Sequence, residues 1–150
     1  MKKSLFKEDE PMPLTLRVRD VMEGGVIMLD GDSSAMEALE KMVENNVWSV
    51  VVTVNDLPVG VVTERDILRR AVVKGLDIKR VPLKDIMSSP LITISPEASF
   101  GEAWKLMVEK DIRRIYVVER GKIIGRVTRA GLFQKLLDAA LALASLKTMI

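Results

Sequence analysis

Arg19-Asp20-Val21-Met22 and Lys84-Asp85-Ile86-Met87 are two versions of one tetrapeptide, and the offset of 65 positions that lays Asp20 on Asp85 orders the rest of the chain. Without a gap, Val26-Ile27-Met28-Leu29 falls on Leu91-Ile92-Thr93-Ile94, and Ser34-Ala35-Met36-Glu37-Ala38 on Ser99-Phe100-Gly101-Glu102-Ala103. Met42-Val43-Glu44 then meets Met107-Val108-Glu109, and Val50-Val51-Val52 meets Ile115-Tyr116-Val117. Last, Gly60-Val61-Val62-Thr63 meets Gly125-Arg126-Val127-Thr128. Chance similarity does not hold one register over such a span, so the chain carries two copies of one unit.

Each copy has a readable internal order. A short apolar run, Val26 to Leu29 or Leu91 to Ile94, suits a strand. Ser34 with Glu37, and Ser99 with Glu102, have the spacing of a helix capping box, in which serine takes an early amide and the acid reaches back to the cap amide. The helices that follow are predicted to bury Ala38, Leu39, Met42 and Val43, or Ala103, Met107 and Val108. Two strands come next, Trp48 to Val54 with Val59 to Thr63, and Arg114 to Glu119 with Ile123 to Thr128. Asn55-Asp56-Leu57-Pro58 and Arg120-Gly121-Lys122 are turn-forming connectors, which makes both pairs hairpins. A second helix closes each copy, from Glu64 to about Lys74 and from Arg129 into the tail. The expected division is an N-terminal extension at 1–16, a first repeat at 17–80 and a second at 81–150. A unit of this size buries only about 60% of its unfolded surface and is marginal alone. The expected fold is therefore α/β, strand-helix-strand-strand-helix twice, with the copies packed about a pseudo-twofold axis and clefts between them where small ligands bind.

Composition narrows the chemistry. Hydrophobic residues are 48% and charged residues 29% of 150, the balance of a soluble globular chain. Neither cysteine nor histidine occurs, which excludes disulfides, thiol nucleophiles and thiolate metal sites, and removes the commonest general base. No catalytic set can be named, so the sequence argues against an enzyme. A formal charge of +2 gives little field for nucleic acid. Met1 to Phe6 is followed by Lys7-Glu8-Asp9-Glu10 rather than an apolar run, unlike a signal peptide. The apolar stretch Leu136 to Leu146 contains Asp138 and falls short of the roughly 20 residues that cross a bilayer. The expectation is a cytoplasmic protein with no membrane role.

Gly60-Val61-Val62-Thr63-Glu64-Arg65-Asp66 sits where a strand turns into a helix. Read structurally, Thr63 is the N-cap and Asp66 the acid that complements the helix dipole. Read functionally, a carboxylate near a helix N-terminus accepts both hydroxyl hydrogens of a ribose while the threonine hydroxyl and free amides face a phosphate. The same atoms can serve both.

A tandem repeat of this element order, ending in Gly-hydrophobic-hydrophobic-Thr-x-x-Asp, resembles the CBS-domain pair, or Bateman module, over about residues 17 to 145. The resemblance implies a regulatory module that binds AMP, ADP, ATP or S-adenosylmethionine between its repeats, senses energy or metabolite state, and controls a separate protein partner. No catalytic cofactor or metal is expected from the composition, and the resemblance implies a homodimer, to which the apolar tail helix would contribute. By position it assigns Thr63 and Asp66 to ribose and phosphate, with Val61, Val62, Glu64 and Arg65 in the same pocket. From the second repeat it assigns Pro90, Leu91 and Ile92 to the adenine wall, and Arg113 and Arg114 to the phosphates, where the planar guanidinium suits the task.

The second copy departs from the pattern. Gly125-Arg126-Val127-Thr128-Arg129-Ala130-Gly131 has Gly131 where the first copy has Asp66, so no carboxylate is expected there to hold a ribose. One principal nucleotide per chain is expected. The degenerate site, with Ile27, Trp48, Arg126, Thr128 and Arg129, would be empty, would hold phosphate through Arg126 and Arg129, or would accept a ligand in another pose. Trp48, Trp104, Met36, Met42 and Met107 read as packing residues, and Gly24-Gly25 as a turn. An alternative class is nucleic-acid binding, favoured by a pI of about 8.9. Interleaved acids and few aromatic residues argue against it.

Overall fold

The computed structural model describes residues 16–148, with side chains to residue 146; the extension expected at 1–16 lies, apart from Leu16, outside that range, as do Met1 to Glu10. In chain order the elements are α1 (Val18–Val21), β1 (Met28–Asp30), α2 (Ala35–Asn45), β2 (Ser49–Val54), β3 (Leu57–Thr63) and α3 (Glu64–Ile67), which continues as a π-helical turn at Leu68–Val72. There follow α4 (Leu83–Ile86), β4 (Thr93–Ile94), α5 (Phe100–Lys110), β5 (Arg114–Glu119), β6 (Lys122–Thr128) and α6 (Arg129–Thr148). The fold is α/β with two three-stranded sheets, ordered β1-β2-β3 and β4-β5-β6. In each, the first pairing is parallel and the second antiparallel. A parallel pair needs a crossover, and α2 and α5 supply it.

The hairpins form where the turn chemistry placed them, but tighter. Asn55 and Asp56 both hold positive φ, 52° and 64°, as do Arg120 and Gly121 at 53° and 75°. These two-residue turns match the twist of the flanking strands. Leu57 and Pro58, expected in the turn, belong to β3, where Pro58 pairs with Thr53 at a register shift that tolerates a missing amide. The helix expected to Lys74 stays helical only to Val72. The short helices α1 and α4, which overlap the tetrapeptides of the repeat and end before Met22 and Met87, were not anticipated, since four residues show no periodicity.

The repeat boundaries do not coincide with the compact units. One unit is Gly25–Ile92; the other joins Met1–Gly24 to Thr93–Ile150. Main-chain bonds show why. Leu16 to Glu23 is tied to the second copy: the Val18 amide donates to Ala98 O at 2.8 Å, that of Arg19 to Pro96 O at 2.9 Å, and Glu23 exchanges a pair with Arg126 at 2.8 and 2.9 Å. The segment around α4 is tied to the first: the Leu83 amide donates to Ser33 O at 2.9 Å, that of Lys84 to Gly31 O at 3.0 Å, and Val61 and Ser88 exchange a pair at 2.9 and 2.8 Å.

In Gly25–Ile92 the core comprises Ala35, Ala38, Met42, Val50, Val52, Val62, Ile67, Ala71, Val81, Leu83 and Ile86. In the other unit Val18, Val21, Ala103, Met107, Ile115, Val117, Val127 and Leu132 are buried. Val43 and Val108, expected on the buried faces, are 72% and 59% exposed. Each lies about 100° round the helix from the buried methionine before it, outside the stripe. Trp48 and Trp104 are also exposed, as are Phe133, Leu136, Leu137, Leu141, Leu143 and Leu146 along α6. No helix among the described residues is long and apolar enough to cross a membrane.

The two serine caps are unequal. Ser99 Oγ accepts the Glu102 amide at 3.1 Å and Glu102 Oε2 accepts the Ser99 amide at 2.8 Å, a full box. Ser34 Oγ accepts the Glu37 amide at 3.1 Å, but α2 lacks the reciprocal half. Ser99→Ala is expected to cost about 1 kcal/mol in urea unfolding, and Ser34→Ala less. Equal losses would show that the acid's return bond is without effect.

An exposed charge cluster also ties the swapped segment down. Glu97 accepts from Arg19 at 3.0 and 3.2 Å and pairs with Arg17, while Arg19 also donates to Glu119 at 2.6 Å. Hydrogen bonds from Arg19 and then Arg17 hold the Glu97 carboxyl below its ordinary value of 4.5. A depressed carboxylate contributes stability above its unfolded value and loses it as pH falls through the folded one. Stability should therefore decline below about pH 4.5, and Glu97→Gln should flatten that limb and reduce its salt sensitivity. An acid limb of unchanged slope in pH-scanned denaturation would remove Glu97 from this role.

Candidate functional site

The best-defined polar turn lies inside Gly25–Ile92, where β3 passes into α3. The sequence makes it locally: extended Thr63, with φ −104° and ψ 165°, ends the strand, and its side chain starts the helix. Thr63 Oγ1 accepts the Asp66 amide at 3.1 Å, and Asp66 Oδ2 accepts the Thr63 amide at 2.9 Å. The structural reading of the heptapeptide thus holds as a capping box. One carboxylate oxygen remains less committed: Ser88 Oγ donates to Asp66 Oδ1 at 3.5 Å, a long bond. Asp66 is half-buried, so this oxygen presents charge at a helix start.

Other expected residues lie in the same unit as this turn. The Glu64 amide donates to Trp48 O at 3.2 Å, and Ile27 O accepts the Val51 amide at 2.8 Å. Trp48 and Ile27, expected at the degenerate site, therefore share the unit of Asp66. Pro90, Leu91 and Ile92, expected from the second repeat, also belong to this unit, because Ser88 is paired with Val61. Val61 is half-buried and Glu64 and Arg65 are exposed, but Val62 is fully buried in the core. Only the main chain of Val62 can face a ligand. Gly60 has a steric reason: a β-carbon there would stand 2.7 Å from Ser88 O and 2.9 Å from Met87 Sδ.

The other unit repeats this geometry with different chemistry. Arg113 and Arg114 lie at the start of β5, and Arg113 O accepts the Arg129 amide at 2.9 Å. Thr128 Oγ1 accepts the Gly131 amide at 2.9 Å, the counterpart of the Thr63 cap. The guanidinium of Arg129 donates to Ile112 O at 3.0 Å and Met107 O at 3.5 Å, tying down the end of α5. Arg126 pairs with Glu23 at 3.6 Å and is 14% exposed. Both arginines expected to hold phosphate are thus engaged in holding the protein.

The expectation that this turn lacks a carboxylate is also corrected. Glu23 Oε1 lies 3.0 Å from where a β-carbon on Gly131 would stand. Sequence reasoning missed Ser88 and Glu23, although the repeat offset lays one on the other.

Comparison with known proteins gives the chain its relatives. The CBS-domain profile matches residues 18–73 and 83–138. An uncharacterized protein of Methanopyrus kandleri is 39% identical over 122 residues, 80% of this chain and 62% of that protein. A second, from Methanocaldococcus jannaschii, is 31% identical over 72% of this chain and 60% of its own length, so the chain spans about three fifths of these archaeal relatives. The CBS domain-containing protein YhcV of Bacillus subtilis is 30% identical over 73% of this chain and 78% of its own. Among solved structures, an uncharacterized conserved protein of Pyrococcus horikoshii superposes with a TM-score of 0.74 at 33% identity, covering 83% of this chain and 94% of that one. A hexameric CBS-CP12 protein from bloom-forming cyanobacteria gives 0.76 at 25%, covering 83% and 74%. The duplicated unit, the two three-stranded sheets and the double profile match agree: this chain belongs to the CBS-domain family.

Proposed function

We propose that the chain is a regulatory module that binds an adenosine-type ligand, AMP, ADP, ATP or S-adenosylmethionine, at the β3–α3 turn, and so controls a partner protein. The observation that supports it most is the Asp66 carboxylate. Its Oδ2 is used by the cap while Oδ1 meets Ser88 Oγ only at 3.5 Å. A ribose diol offers two hydroxyl donors that such an oxygen accepts at charge-assisted strength. Leu91 and Ile92, half-buried in the same unit, offer apolar surface for a base, and the start of α3 favours a negative group.

The mechanism this reading requires is linkage. A ligand that binds the folded chain stabilises whichever arrangement orders Thr63, Asp66 and the Ser88–Ile92 segment. Ser88 is joined to β3 through the Val61 bridge and to α4 through Met87, so the ligand would bias a strand-tethered segment and pass the bias to a partner. Equilibrium titration with AMP, ADP, ATP and S-adenosylmethionine tests the reading. Saturable binding that is lost in Asp66→Asn supports it. Steeply salt-dependent binding of RNA or DNA with no response to the nucleotides would favour the nucleic-acid class instead.

A further inference from the structure

Leu132 is the last buried residue of α6 among the described residues, and every residue from Phe133 to Leu146 is exposed. Leu136, one turn on and on the same side as Leu132, is already exposed, so the helix leaves its own unit there. A helix of this length without tertiary support is marginal in water. From Ala139 it reads Ala-Ala-Leu-Ala-Leu-Ala-Ser-Leu, with no charged side chain before Lys147. Exposed apolar surface of this kind marks an interaction site.

The exposed stretch has a pattern. Phe133, Leu137, Ala140 and Ala144 recur at spacings of four, three and four, the seam of a heptad repeat. Leu136, Leu141 and Leu143 flank that seam, while Lys135, Asp138 and Ser145 point away from it. The polar groups also find partners within the helix. Gln134 Nε2 donates to Asp138 Oδ1 at 2.9 Å, and Ser145 Oγ donates to Leu141 O at 3.0 Å. The two charges of the stretch, Lys135 and Asp138, are opposite in sign and lie off the seam, so it offers nothing to attract a polyanion or a charged peptide.

We propose that this face is covered by α6 of a second copy of the chain, running antiparallel, with the twofold axis between Asp138 and Ala139. About that point Phe133 of one copy faces Ala144 of the other, and Leu137 faces Ala140. Each large side chain meets a small one, and the layers fill evenly. A parallel pair would set Phe133 against Phe133 and Ala144 against Ala144, too wide at one end and hollow at the other. The seam is thus complementary to itself in one orientation, the property of an isologous interface. The area suffices as well. Phe133, Leu136, Leu137, Leu141 and Leu143 are 41–61% exposed. At roughly half of about 200 Å² each they supply on the order of 1,000 Å² for a pair, where specific interfaces begin. The inference is independent of the ligand reading, since it uses no residue of the β3–α3 turn.

Sedimentation equilibrium over a micromolar concentration series tests it. Ala140→Glu and Ala144→Glu put a charge into the seam at exposed positions of good helix propensity, and each should halve the mass of the wild-type particle. Ala142→Glu, on the opposite side of the same helix, adds the same charge and should leave the mass unchanged. The chain has no cysteine of its own, so orientation can be read by oxidation. Mixed Phe133→Cys and Ala144→Cys chains should form a 133–144 disulfide between copies. Cross-linking of Ala144→Cys only to itself would overturn the antiparallel arrangement. A monomeric wild type, or equal masses for the variants at 140, 142 and 144, would overturn the seam itself. A wild type that stays monomeric, and whose residues 133–146 gain hydrogen exchange only when residues 1–15 are deleted, would make the chain's own N-terminal segment the occupant instead.

Discussion

A saturating adenosine ligand should raise the Tm of the wild type and leave that of Asp66→Ala nearly unmoved. At about 100 times its dissociation constant a ligand adds roughly 2.7 kcal/mol to the native state, which for a chain of this size corresponds to about 5–10 °C. Two substitutions separate the two duties of the side chain. Asp66→Asn keeps an oxygen that can accept the Thr63 amide, now at 2.9 Å from Oδ2, so its unliganded Tm should fall little while the ligand shift disappears. Asp66→Ala also loses the box and should cost a further ~0.5–2 kcal/mol before any ligand is added. A ligand shift that survives in Asp66→Asn would make the residue a helix cap and nothing more.

The second large effect concerns glycine. Gly60→Ala is expected to destabilise by about 1–3 kcal/mol, because the new β-carbon meets a main-chain oxygen that cannot rotate away. That oxygen, Ser88 O, stands 2.7 Å from the β-carbon position and is held by the Val61 amide at 2.9 Å. Gly125→Ala should behave alike, with Glu23 O at 2.9 Å. Gly101→Ala is the contrasting control: its β-carbon would find its nearest atom at 3.8 Å, inside α5, and should stabilise by roughly 0.5–1 kcal/mol. Urea unfolding of the three variants checks the order. Similar losses at 60 and 101 would mean that backbone approach at the bridge is not what selects glycine.

Gly60→Ala bears on function as well. The bridge it disturbs carries Ser88 to Asp66 and positions Pro90, so the same variant should weaken any ligand that depends on that segment. Its counterpart Gly125→Ala disturbs Glu23 in the other unit.

Much of this protein was legible in its residues. The duplicated tetrapeptide, the two serine caps, the hairpin turns and the Thr63–Asp66 box all follow from interactions within a few positions, where residue type and spacing dictate the geometry. The span of β5, that of β6 to within one residue, and the helical stripes were read from residue pattern, apart from Val43 and Val108 at its edge. What the chain does with its connecting segments was decided elsewhere. A linear repeat assigns Arg19 to Met22 to the first copy and Lys84 to Met87 to the second, yet main-chain pairing with Ala98, Pro96 and Arg126, and with Ser33, Gly31 and Val61, places each on the other unit. Such bonds join residues tens of positions apart and leave no local signature. They are also what brings Ser88 to Asp66 and Glu23 to Gly131. The sequence by itself determined that there are two similar turns; tertiary pairing decided that both possess a carboxylate, because the one missing from the helix arrives on a segment far away in the chain.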